Sequence, residues 1–154
     1  MHPPIKLSGW SAPESVARKI AQTSAPGEPF LSGSVMDTAA VFRRHVSVWE
    51  SGRIGELSSI IDKSYVGHTS SGDRDQEGLG LRIENFHSLY SCIKFSILDQ
   101  LVAIDRVATR LECTAVENLT RKPVHMWGMN LSVVRQRMII EEWAVWEISY
   151  EKVN

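Results

Sequence analysis

The chain changes its hydrophobic period once. From Asp37 to about residue 92 the apolar positions recur at helical spacing. Ala39, Phe42, Val46 and Trp49 form one run, opened by Asp37 as a helix cap and closed by Gly52. Leu57, Ile60 and Ile61 mark a second, short helix, and Leu79, Ile83, Phe86 and Leu89/Tyr90 mark a third from Glu77 or Gly78 to Tyr90. Between them Tyr65-Val66-Gly67-His68 reads as a short extended piece leading into the polar loop SSGDRDQEG. Beyond residue 92 the pattern alternates, as a half-buried strand requires. Four long strands are predicted at 93–103, 107–117, 124–134 and 138–149, joined by Asp105-Arg106, by the loop 118–123 and by Arg135-Gln136-Arg137.

Helices followed by antiparallel strands give an α+β fold. Three helices packed on a curved antiparallel sheet of four long strands plus a short one would curl into a conical α+β barrel, whose interior is a ligand pocket. The last strand, MIIEEWAVWE at 138–147, mixes tryptophan with carboxylates. Pleat parity puts Glu141, Trp143, Val145 and Glu147 on one face. Ile140, Glu142, Ala144, Trp146 and Ile148 fall on the other. Residues 1–34 hold five of the six prolines and read as an N-terminal arm, with a capping box at Ser11-Ala12-Pro13-Glu14 opening a short helix to about Gln22. The domain proper is 35–150, and 151–154 is a tail.

Charge and composition narrow the partners. With 17 basic and 18 acidic residues the formal net charge is −1, which gives no basic surplus for nucleic acid. No apolar run exceeds four residues, so no membrane span is expected, and a cytoplasmic location follows by elimination. Cys92 and Cys113 are expected to be buried thiols in a reducing compartment. Asn118-Leu119-Thr120 matches a glycosylation sequon but reads as a plain loop.

Three segments together resemble the SnoaL-like polyketide cyclases of the nuclear-transport-factor-2-like superfamily. "VWESGRIGELSSIIDKSYVGHT" resembles that family through Trp49, Gly52, Tyr65 and His68, and "IDRVATRLECTA" through Asp105, Arg106, Val107, Ala108 and Arg110. "GMNLSVVRQRMIIEEWAVWE" resembles its last hairpin, with Ile139, Glu141, Trp143 and Glu147 filling an Ile-x-Glu-x-Trp-x-x-x-acid pattern. The resemblance covers about residues 37–148 and implies the cone, a homodimer or homotetramer, an apolar cavity and cofactor-free intramolecular aldol chemistry. In that family a last-strand aspartate acts as acid/base with a histidine on the preceding strand. By spacing from Ile139 those positions are Ala144 and Asn130 here, neither of which can move a proton. The turn departs as well: Gln136-Arg137 stands where the family prefers Asp-Gly, and a longer or bulged turn is expected.

The remaining candidates follow from chemistry. Glu142 shares a face with Ala144, and a carboxylate in an apolar pocket would have a raised pKa and could serve as acid or base. His68 is its favoured partner near the pocket mouth. Asn130 and Arg110, polar and mid-strand, are candidate substrate-binding donors. Trp146, Phe86 and Tyr90 are candidate cavity walls, and Ala144 a substrate contact. His87 and His125 read as structural or exposed, and Asp99 suggests no role. No HxxxH or HxH spacing points to a metal, and no phosphate or dinucleotide loop to a cofactor. The sequence therefore supports two readings. One is a cofactor-independent enzyme doing cyclisation, isomerisation or dehydration on a small apolar oxygenated metabolite, polyketide- or terpenoid-like. The other is a non-catalytic small-molecule-binding or assembly module built on the same cavity.

Overall fold

The computed structural model describes residues 35–150; the arm with its capping box and the tail lie outside the described residues. Helix α1 spans Val35–Ser51 and is followed by a 3-10 helix at Ile54–Ser59. Strands β1 (Ile61–Thr69) and β2 (Gly72–Arg74) form a hairpin before helix α2 (Gln76–Leu89). Then come β3 (Tyr90–Val102), β4 (Arg106–Glu117), β5 (Pro123–Arg135) and β6 (Met138–Tyr150). No helix among the described residues is long and apolar enough to cross a membrane.

Local chemistry sets the boundaries. Gly52, at φ +73°, donates its N–H to the Val48 carbonyl and ends α1. Asp75 caps α2 by accepting from the Gly78 N–H at 2.8 Å. Tyr90 is the first residue of β3 rather than the last of the helix, so helix and strand abut without a loop.

The sheet differs from the expected one. It has six strands in the order β2-β1-β6-β5-β4-β3, and β1 runs parallel to β6. The piece read as Tyr65–His68 is a nine-residue strand. Lys63 and Ser64 interrupt its apolar alternation, and its parallel partner lies more than seventy residues away, so no local pattern announces it. The order is linear, with β2 and β3 at its ends, so strand pairing does not close the expected barrel. The β5–β6 turn is tight rather than longer. Arg135 pairs with Met138, and Gln136 and Arg137 take positive φ of 50° and 65° despite their side chains.

Two bulges govern which side chains face inward. In β6, Val134 pairs with Ile139 but Val133 pairs with Glu141, so Ile140 is an extra residue. Ile139 and Glu142 therefore both face inward, and Ile140, expected inside, is the bulged residue instead. In β3 a register shift lies between Ser91 and Lys94, where Cys92 has φ +52°. The bulge turns Cys92 outward, so of the two free thiols only Cys113 is buried, which corrects the expectation for Cys92. Burial pushes the Cys113 thiol up to about 11.

The inner sheet face and the two helices share the main core, which includes Phe42, Val48, Ile60, Ile83, Val107 and Ile139. A second cluster around Tyr90, Cys113, Val124 and Met126 lies along the same face, and Trp146 packs against both. Gly128 and Trp146 are register partners, and a Cβ on Gly128 would stand 2.5 Å from the indole. The glycine is what lets the tryptophan lie flat on the sheet.

Candidate functional site

Between the helices and the inner sheet face lies a cavity of about 530 Å³. Pleat alternation fills its floor. Thr109, Asn130 and Ala144 form one cross-strand row, and Leu111, Gly128 and Trp146 form the next. Phe86 meets Tyr90 at 5.0 Å between ring centroids, and Phe95 meets Trp146 edge-on at 5.8 Å, which makes an aromatic wall. Phe86, Tyr90, Ala144, Asn130, Trp146 and Glu142 all line the cavity.

Glu142 is only 6% exposed and sits beside Ser132 in the register of β5 and β6. The Ser132 hydroxyl lies 3.2 Å from Glu142 Oε2 and 2.7 Å from Asn130 Oδ1. His45 Nε2, on α1, is 3.3 Å from Glu142 Oε2. Burial pushes the Glu142 carboxyl up. The His45 charge and hydrogen bonds from His45, Asn130 and Ser132 outweigh it and hold the carboxyl below its usual range. The expected rise is thus reversed by three partners that burial brings with it.

His45 was not singled out in the sequence. Its signal was present: a histidine three residues after Phe42 and four before Trp49, on the apolar stripe of α1. The Trp49 indole N–H donates to His45 Nε2 at 3.2 Å, the same nitrogen that faces Glu142. A neutral ring accepting from Trp49 carries its proton on Nδ1, which is buried and has no hydrogen-bond partner among the described residues. A proton on Nε2 instead serves Glu142 and forfeits the indole. Proton position on one nitrogen thus selects between two neighbours.

Tyr65 completes the inner surface from β1. Gly67 is the register partner of Glu142, and a Cβ there would stand 2.4 Å from the Tyr65 hydroxyl. The missing side chain at Gly67 lets the phenol lie over the strand next to the carboxylate. Burial, then the Glu142 charge, raise the Tyr65 hydroxyl well above its ordinary value, so it stays a neutral donor.

The structure does not bring His68 to Glu142. His68 is the register partner of Trp143, one residue out of phase with the Gly67–Glu142 pair, and its ring stacks on Trp143 at 4.8 Å. It lines the cavity, with its nitrogens engaged by Asp73 at 2.8 Å and Glu141 at 2.9 Å. Arg110 faces the opposite side of the sheet from the cavity, because its strand neighbours Thr109 and Leu111 take the buried positions. It pairs with Asp99 through Nε at 2.9 Å, which gives Asp99 a role the sequence did not suggest. His87 Nε2–H donates to the Trp49 carbonyl at the end of α1 at 2.9 Å, and His125 faces Glu112 at 3.2 Å. Among the described residues no group of three or more His, Cys, Asp or Glu side chains could hold a metal ion.

Solved structures share this architecture. IdmH from Streptomyces antibioticus, a candidate polyketide cyclase, superposes with a TM-score of 0.66 at 20% identity, over 71% of this chain and 91% of its own. A SnoaL-like polyketide cyclase from Agrobacterium tumefaciens gives 0.63 at 12% identity, over 71% and 91%. The chain has the SnoaL-like fold. AclR from Streptomyces galilaeus, a candidate hydroxylase, shares that SnoaL-like fold at a TM-score of 0.67 and 15% identity, over 74% and 91% of the two chains. One fold thus carries proteins with different assignments, so chemistry must be argued from the side chains. No protein-family model and no curated protein matches the chain.

Proposed function

We propose that this SnoaL-like chain is a cofactor-independent enzyme. It does proton-transfer chemistry (cyclisation, isomerisation or dehydration) on a small, largely apolar, oxygenated metabolite. One observation carries the reading: a carboxylate, Glu142, is buried in the floor of an aromatic cavity with its Oε2 facing both Ser132 and His45. A buried carboxylate that stays ionised is a base ready at neutral pH. In the proposed reaction Glu142 takes a proton from a carbon next to a carbonyl. The neutral Tyr65 hydroxyl donates to the oxygen on which negative charge develops. His45 holds the carboxylate in place and can relay the proton. The Ala144 and Asn130 positions leave the family's own acid/base pair absent, and Glu142 with His45 offers a substitute one pleat away.

The test is a ligand screen by thermal shift, followed by a turnover assay on every hit. Turnover that falls at least about a hundredfold in Glu142→Gln, with the melting profile intact, is the expected result. Tight binding without turnover would replace this reading with the non-catalytic module, which the loss of any acid at Ala144 favours.

A further inference from the structure

The cavity also holds two guanidiniums. Arg74, the last residue of β2, and Arg82, on α2, both line it. Neither lies within 4 Å of a carboxylate among the described residues, whereas Arg53, Arg106, Arg110 and Arg137 each do. Arg74 spends one Nη on the Ser71 hydroxyl, and its Nε is buried with no hydrogen-bond partner. A buried guanidinium N–H without an acceptor is costly to leave unmade.

The nearby acids are already committed. Asp73 is turned to His68, Asp75 caps α2 and Glu142 is faced by His45. Glu77 and Glu84 line a separate groove. Burial and the charge of Arg74 disfavour the Arg82 cation, which Tyr65 and Glu142 only partly relieve. Tyr65 itself lines the cavity with a hydroxyl that burial keeps neutral. Two cations and a neutral donor therefore border one apolar cavity whose lining carries, among the described residues, a single carboxylate, Glu142.

We propose that Arg74 and Arg82 bind a carboxylate carried by the ligand, so that the substrate is an apolar acid rather than a neutral metabolite. This deepens the proposed function by naming its substrate class, and it rests on the same cavity. A planar carboxylate suits guanidinium forks, and its charge balances the excess of Arg74 and Arg82 over the lining carboxylate, Glu142. The apolar body then lies along the aromatic wall toward Glu142.

The experiment uses 2-naphthoate and 2-naphthamide, which share a body and differ in charge, titrated calorimetrically into the full chain. The acid is expected to bind about tenfold tighter than the amide. In Arg74→Gln/Arg82→Gln that preference disappears while the amide affinity is kept, which also certifies the fold. Equal affinities, failure of both probes at millimolar concentration, or a preference surviving the double variant would each overturn the proposal. Tighter binding of 2-naphthyl phosphate than of 2-naphthoate would overturn the carboxylate assignment. The readout is independent of catalysis. A preference retained in Glu142→Gln, with no turnover of any acid by the wild type, sinks the enzyme reading and leaves the anion site standing.

Discussion

His68 is clamped between two carboxylates, Asp73 of β2 and Glu141 of β6. Burial lowers its pKa, but the hydrogen bonds to Glu141 and Asp73 and their charges more than offset this, and the net shift is upward. A histidine whose folded pKa exceeds its unfolded value, about 6.5, stabilises the fold fully below that value. The contribution is lost as pH rises through the folded pKa. His68→Asn should therefore lower the melting temperature more at about pH 5.5 than at about pH 8.5. Equal losses at both would mean that the clamp contributes no charge-dependent stability. At this scale Glu142 was legible, because one family landmark and pleat parity placed it inside. His45 and Tyr65 were not, because a helix residue and a strand residue meet there only through the tertiary fold.

Among the elements, the β5–β6 hairpin carries the site, and Gly128 is its tightest point. A Cβ there would meet Trp146 at 2.5 Å and the Val145 carbonyl at 2.7 Å, and the carbonyl cannot swing away. Gly128→Ala is expected to destabilise by about 2 kcal/mol or more, read from denaturant unfolding, and to displace the indole from the cavity wall. A cost near zero would mean that the strand relaxes without strain. The long strands were legible because alternation is a local pattern and the hairpin register follows from its turn. Strand β1 was hidden because Lys63 and Ser64 break its alternation. The turn was misjudged because two αL side chains are rare, yet Arg135 and Met138 pair across them.

At the scale of the whole molecule, the outer sheet face is marked by exposed apolar side chains. Trp127, Met129 and Val145 are 46%, 58% and 74% exposed on adjoining strands, an apolar surface that a monomer rarely leaves to water. The chain is expected to be a homodimer or larger through this face, so light scattering at micromolar concentration should give at least twice the mass of one chain. Met129→Glu/Val145→Glu should return it to a monomer that still binds cavity ligands. A monomeric wild type would refute the proposal. The fold class was legible from the single change of period along the chain. The mixed topology was not, since a parallel pairing of the first strand with the last leaves no trace in either segment alone.

The extra residue in β6 makes the site's orientation depend on length rather than on composition. Without the bulge, the register that pairs Val134 with Ile139 would continue as Ser132 opposite Glu141, turning Glu142 out and Glu141 in. Deleting Ile140 removes the bulge yet keeps Ser132 opposite Glu142, so the shortened chain should fold with its cavity unchanged. Deleting Val145 instead should swap the two faces of the strand's end, turning Trp146 toward solvent and Glu147 toward the aromatic wall. The two deletion mutants can be told apart by tryptophan emission: the first should match the wild type and the second should shift to the red. A red shift in the first would mean that the bulge does more than set parity. Single-residue insertions and deletions, rather than substitutions, are then the steps by which this hairpin could exchange one cavity-lining face for another.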